Sequence, residues 1–246
     1  MDLEFKQQFS SQWERYFPNA ALPIALYYTD DESVKLAEPE TGPHCLICTL
    51  ATVRGGQPLR LSKETIRCGG GKRYLGFAQE LSPNFAYFLS CGIPDQVEGE
   101  RYKRSPELVE EYMASHAPLE APAEFIVFKR WDQLDEGDTP AVVVFFAPPD
   151  VLSGLFTLAN FDEAKAQAVI APFSSGCASI VYQPYHELTS DRPRAVLGTF
   201  DVSARPCVPA DTLTFAIPWP KFTRMVEQMD ESFLITASWR KVQSRM

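Results

Sequence analysis

The sequence predicts an α+β protein made of two related α/β halves, an internal duplication, packed around a shared cleft. Three observations carry that prediction. Short β-branched and aromatic runs bounded by proline and acidic turns alternate with segments of helical periodicity. Motifs of the first half recur in the second at a nearly constant offset. The length of 246 residues can bury a sizeable core and falls between one large domain and two small ones; with no tidy boundary between the halves, the chain reads as a single compact domain, residues 1–246.

The elements follow in order. LEFKQQFSSQWERYF (3–17) places apolar residues near helical spacing and stops before Pro18, which predicts an amphipathic helix. LPIALYY (22–28) reads as a buried strand ending at the acidic turn Asp30-Asp31-Glu32. TPAVVVFFAPPD (139–150) repeats that construction, and Thr49-Leu50-Ala51 recurs as Thr157-Leu158-Ala159. Cys68 and Cys177 keep the same offset to within one residue. EFIVFKRWDQL (124–134) is echoed by LTFAIPWPKFTRM (213–225). The halves are therefore set at about 20–134 and 138–240, each with a strand, a helix, a second strand, a cysteine at a turn and a further helix. Between them SPELVEEYMASH predicts a surface helix, with Ser105 before Pro106 and Glu107 close to its start.

Composition excludes several classes. A chain 45% hydrophobic and 22% charged is expected to fold. A formal net charge of -9, with basic residues scattered in short groups, argues against general nucleic-acid binding, which needs clustered Lys and Arg. No apolar run reaches the roughly 18–20 residues that span a bilayer, and the N-terminus lacks a basic-then-apolar leader. The chain thus reads as cytoplasmic. In that reducing setting the six cysteines, Cys45, Cys48, Cys68, Cys91, Cys177 and Cys207, are expected as thiols, ligands or core residues rather than as a disulfide framework.

The stretch CGGGKRYLG, starting at Cys68, invites a nucleotide-loop reading, and spacing removes it. A Walker A loop would need glycine at Ile66 and a hydroxyl at Arg73; a dinucleotide fingerprint would need glycine at Tyr74. Three readings stay open. The glycines form a tight turn; or Gly69, Gly70 and Gly71 with Lys72 hold a small anion at a helix start, helped by Arg205 of GTFDVSARPC; or Cys68 is a functional thiol, stabilised at a helix N-terminus. Cys177 of FSSGCASIVY sits in a matching turn.

HCLIC places His44, Cys45 and Cys48 together, without the second CxxC or His pair of a structural zinc site. A metal site would have to be assembled by the fold, and Cys48, Cys68 and Cys177 are the expected soft ligands, for zinc or an iron–sulfur cluster. Cys91 reads as packing or turn, His116 as the end of a solvated helix and His186 as a loop residue, both incidental, and Asp201 with Arg205 as a surface pair. No HExxH or G-x-S-x-G motif occurs, so no reaction is specified and whether the chain is an enzyme stays open. The leading expectation is a cysteine site that holds a metal or iron–sulfur centre or carries a reactive thiol in a redox-associated role. The alternative is a non-catalytic protein that binds a small anionic ligand.

From PIALYY through CLICTLATVRGG, CGGGKRYLG, PAVVVFFAPPD, SSGCASIV and GTFDVSARPC to FAIPW, the chain resembles domain-of-unknown-function family 169, DUF169. The resemblance rests on the order and context of Cys48, the Cys68-Gly-Gly motif and Cys177, followed by a Gly…Arg stretch. It implies a cytoplasmic prokaryotic protein with recurrent cysteines and no established activity.

Overall fold

The computed structural model describes residues 1–34 and 45–246. Among them one seven-stranded sheet runs in the order β2-β3-β1-β4-β7-β6-β5. Its strands are β1 (Ile24–Thr29), β2 (Leu59–Leu61), β3 (Phe125–Arg130), β4 (Val142–Ala147), β5 (Val169–Ile170), β6 (Ala195–Gly198) and β7 (Leu213–Pro218). Neighbours pair antiparallel except β5 with β6. The expected α+β class is what the structure shows.

The chain reaches both faces of the sheet because its central strands are apolar on both sides. In β4, Val142 and Val144 point to one core while Val143 and Phe145 point to the other. Ile24 and Leu26 of β1 join the first, and Ala25 joins the second. A period-two run with no polar face can only be stable between two layers.

One layer is aromatic. Helix α1 (Leu3–Tyr16) is capped by Asp2, which accepts from Glu4 N–H at 2.8 Å, and buries Phe9, Trp13 and Tyr16 along one stripe. Phe9 and Trp13 meet Phe145, and Phe9 also meets Phe222 from the Trp219–Gln228 helix. The Pro149–Ala159 helix packs on this same core through Val151, Leu155 and Leu158.

The opposite layer carries the cysteines. It comprises α2 (Leu46–Arg54), α3 (Gly69–Tyr74) and a helical stretch that begins at Gly176, runs as a π-helix over Ala178–Tyr182 and continues as an α-helix over Gln183–Glu187. Leu46, Ile47, Leu50, Tyr74, Ile180 and Val181 form its core against Ile24, Val142 and Val144. The π turn has a local cause. Pro184 has no N–H to return to the preceding turn, and Gln183 N–H bonds to Ala178 O instead. Thr157-Leu158-Ala159 and its counterpart Thr49-Leu50-Ala51 thus lie in helices on opposite faces of the sheet.

Phe145 is the contact point of the aromatic layer. Phe145→Ala is expected to lower the unfolding free energy by about 3–5 kcal/mol, read by chemical denaturation; a loss below about 1 kcal/mol would show that this core does not anchor the sheet.

Candidate functional site

Cys68 is the N-cap of α3, with extended backbone geometry, and its sulfur accepts from Gly71 N–H at 3.3 Å. The N–H groups of Gly70 and of Leu46, the first residue of α2, add to that contact, and the Cys177 thiol donates to the same sulfur. The hydrogen bond from Cys177 and these backbone donors outweigh burial and bring the Cys68 thiol down to about 6. Cys177 is 4% exposed. Its hydrogen bond to Cys68, together with burial, pushes it well above the ordinary thiol range. The two sulfurs thus differ in role: Cys68 is half-buried and holds the charge, and Cys177 is enclosed and holds the proton.

The glycines serve this sulfur. Gly70 and Gly71 present N–H groups to it, and a Cβ on Gly71 would sit 3.2 Å from Ile66 Cγ2 and 3.3 Å from Cys68 Cβ. The turn that sequence left open between three readings is therefore wrapped around a side chain of the protein itself. Lys72 lies half-buried on α3, one turn beyond Cys68, and its N–H bonds to Cys68 O at 2.9 Å. Arg205 is turned elsewhere. Its guanidinium donates to the carbonyls of Thr212 at 2.5 Å, Ala210 at 2.8 Å and Pro209 at 3.2 Å.

Two further groups surround the pair. Cys45 caps α2, and the N–H groups of Ile47 and Cys48 face its sulfur without closing a capping hydrogen bond; burial raises its pKa above the ordinary thiol value. The charge of Cys68 adds to the rise at Cys45, and that of Cys45 to the rise at Cys177. Asp201 accepts from the N–H of Gly176, the residue before Cys177, and burial raises its pKa above the usual carboxylate range. Its Oδ1 is buried without a partner. The expected surface pair of Asp201 with Arg205 is not formed: Asp201 faces the cysteines, and Arg205 ties its own loop.

Cys48 requires a correction. It is bonded to Cys207 in a disulfide with Cα atoms 4.6 Å apart, within the range such bridges adopt. A disulfide sulfur is not a thiolate, so in this oxidation state Cys48 is no soft-metal ligand, and the expectation of six unpaired cysteines fails for this pair. The bridge joins the first turn of α2 to the short 3-10 turn Arg205–Cys207. Arg54 supports it, donating to Cys207 O at 3.3 Å while its guanidinium lies over Phe146. Among the described residues no three His, Cys, Asp or Glu side chains gather as a metal site. His44 lies outside the described residues. Cys91 is exposed. His186 is not a loop residue: it lies in the Gln183–Glu187 helix, stacked edge-on to Tyr182 with Nε2 buried.

A strained residue leads into this region. Thr199 is fully buried at φ 64°, a left-handed conformation that costs a β-branched residue about 1–3 kcal/mol. Its hydroxyl is hydrogen-bonded with that of Thr214 at 2.7 Å, and its N–H donates to Ser179 Oγ at 3.4 Å. Those bonds hold the start of the segment that carries Asp201 and Cys207.

The bridge closes a loop of 159 residues' separation. Replacing both cysteines, Cys48→Ser with Cys207→Ser, is expected to cost about 2–4 kcal/mol of unfolding free energy, because the unfolded chain regains the entropy the link removes. Denaturation curves with and without reductant check this; unchanged curves would show that the link contributes nothing to stability.

Among the described residues no helix is long and apolar enough to cross a membrane. No curated protein and no solved structure matches the chain. A family model matches residues 20–228, which takes in every sheet strand and all of the thiol site. The chain belongs to the DUF169 family, described as "Uncharacterised ArCR, COG2043".

Proposed function

We propose that this protein carries a reactive thiol, Cys68, in a redox-associated role. The observation that supports it is the set of donors on one sulfur: N–H groups from the starts of two helices and the S–H of a second cysteine. A thiol brought down to about 6 is mostly thiolate at neutral pH, and the thiolate is the nucleophile. The neighbouring disulfide fits the same role. In a reducing cytoplasm, the setting this reading keeps, a single bridge beside reactive thiols is of the transient, redox-active kind. The shared cleft enters here as an opening over Cys68, the half-buried member of the pair. The internal duplication enters as the reason why matching turn cysteines from both halves meet.

The metal version of this site would draw on Cys68, Cys177 and Cys45, whose fields already overlap. It would require the three to close further, as they do not gather as a metal site. The reactive thiol needs no such rearrangement. The anionic-ligand alternative is weaker for a physical reason: two of the glycine N–H groups it would use are directed at Cys68, and Arg205 is occupied by three carbonyls.

The ultraviolet absorbance of thiolate, followed against pH, tests the proposal. The wild type is expected to gain one thiolate with a midpoint near about 6, absent from Cys68→Ser. Cys177→Ala removes the main donor and is expected to move the midpoint upward. Below the midpoint the sulfur is protonated and slow towards alkylating agents; above it, reactivity reaches a plateau. A wild-type titration with no step below the ordinary thiol range would overturn the proposal. Metal analysis of anaerobically purified protein separates the two versions: stoichiometric iron or zinc, lost in Cys68→Ser, would favour the metal centre.

A further inference from the structure

We propose that Cys68 and Cys177 form a dithiol–disulfide exchange centre for low-molecular-weight disulfides, in which Cys68 attacks and Cys177 resolves. This rests on the reactive-thiol reading of Cys68 and assigns its partner thiol and its class of substrate.

The geometry is a pair of helix starts brought together. Cys68 caps α3, and Cys177 stands where the π-helical segment begins. The two helices pack against each other, with the rings of Tyr74 and Tyr182 5.6 Å apart and edge to face. That packing sets Cys177 beside Cys68 although 109 residues separate them in sequence. Gly176 lets the start of this segment pack closely on α2: a Cβ there would come within 2.7 Å of Ile47 and 3.2 Å of Ala204. Accessibility divides the labour. Cys68 is half-buried and open to a slim reagent, whereas Cys177, 4% exposed, can be reached only by a sulfur already attached to Cys68.

The chemistry balances without a further oxidant. The Cys68 thiolate attacks one sulfur of the substrate disulfide; that S–S bond breaks, the first substrate thiolate leaves, and a mixed disulfide forms on Cys68. Cys68 can no longer accept the Cys177 hydrogen bond. Cys177 then attacks the Cys68 sulfur, its proton passing to the departing second thiolate, and a Cys68–Cys177 disulfide forms. The pair loses two electrons and the substrate disulfide gains them, becoming two thiols. Cys45 and Asp201 lie beside Cys177 and share its field; neither forms a bond in these steps.

The full chain, with its native Cys48–Cys207 bridge, is equilibrated with glutathione buffers of increasing oxidised fraction, quenched by alkylation and mapped by mass spectrometry. The wild type is expected to accumulate a Cys68–Cys177 cross-link and little glutathione adduct. Cys177→Ser and Cys177→Ala, both checked for folding by circular dichroism, are expected to stop at the adduct on Cys68 and raise its amount by about tenfold or more. Persistent adduct on Cys68 in the wild type, or a cross-link from Cys68 to Cys45, would overturn the assignment of Cys177. If the thiolate titration still shows the low midpoint in that case, the reactive thiol survives and only the exchange centre fails; if the midpoint is absent as well, both fall.

Discussion

The pairing of β1 with β4 is the constraint on which the rest depends. Strands β1, β2 and β3 come from residues 24–130, and β4, β5, β6 and β7 from residues 142–218. Among the described residues, Ile24, Ala25 and Leu26 opposite Val144, Val143 and Val142 form the one strand pairing that joins them. All six side chains are fully buried, so a slip of one residue would send each valine to the wrong core. With that register fixed, α2 and α3, which lie between β1 and β3 in sequence, and the π-helical segment, which lies between β5 and β6, share one face. Cys68 then meets Cys177, and Cys48 meets Cys207, across the join.

What happens at that meeting follows from ordinary electrostatics. The first turns of helices have N–H groups without partners, and they favour negative charge. Here the starts of α2 and α3 address one sulfur, and the S–H of Cys177 completes the set. Burial alone would raise the Cys68 thiol as it raises Cys45; the donors reverse the sign. The largest favourable contributions to the Cys68 thiolate thus come from hydrogen-bond donors.

Much of this was legible in the residues. The β-branched run around Val142, the ring spacing in α1 and the Ser105-Pro106 start all became the elements they signalled, since each signal is local. Cys68 and Cys177 stood out because a glycine or serine turn ahead of a helix announces a cap. Other features were hidden because they depend on distance. The Cys48–Cys207 bridge joins residues 159 apart, and no local pattern records that. Asp201 and Arg205, four residues apart, looked like a pair; the fold gives one to the cysteines and the other to three carbonyls. Cys45 was seen only as half of a CxxC. The helix start following it was the available signal, since it sets Cys45 at the cap of α2. The matching TLA triplets, finally, were alike in sequence and fell on opposite faces of the sheet, because an apolar helical stripe does not say which side of a two-faced sheet it will cover.

The central claim is that the fold makes one cysteine, Cys68, unlike the rest. Residue-resolved alkylation of the native protein at mildly acidic pH measures this directly. Cys68 should react first, ahead of the more exposed Cys91, while Cys177 stays unmodified until the protein unfolds. Modification in order of exposure alone, with Cys91 leading and Cys68 no faster than Cys45, would contradict it.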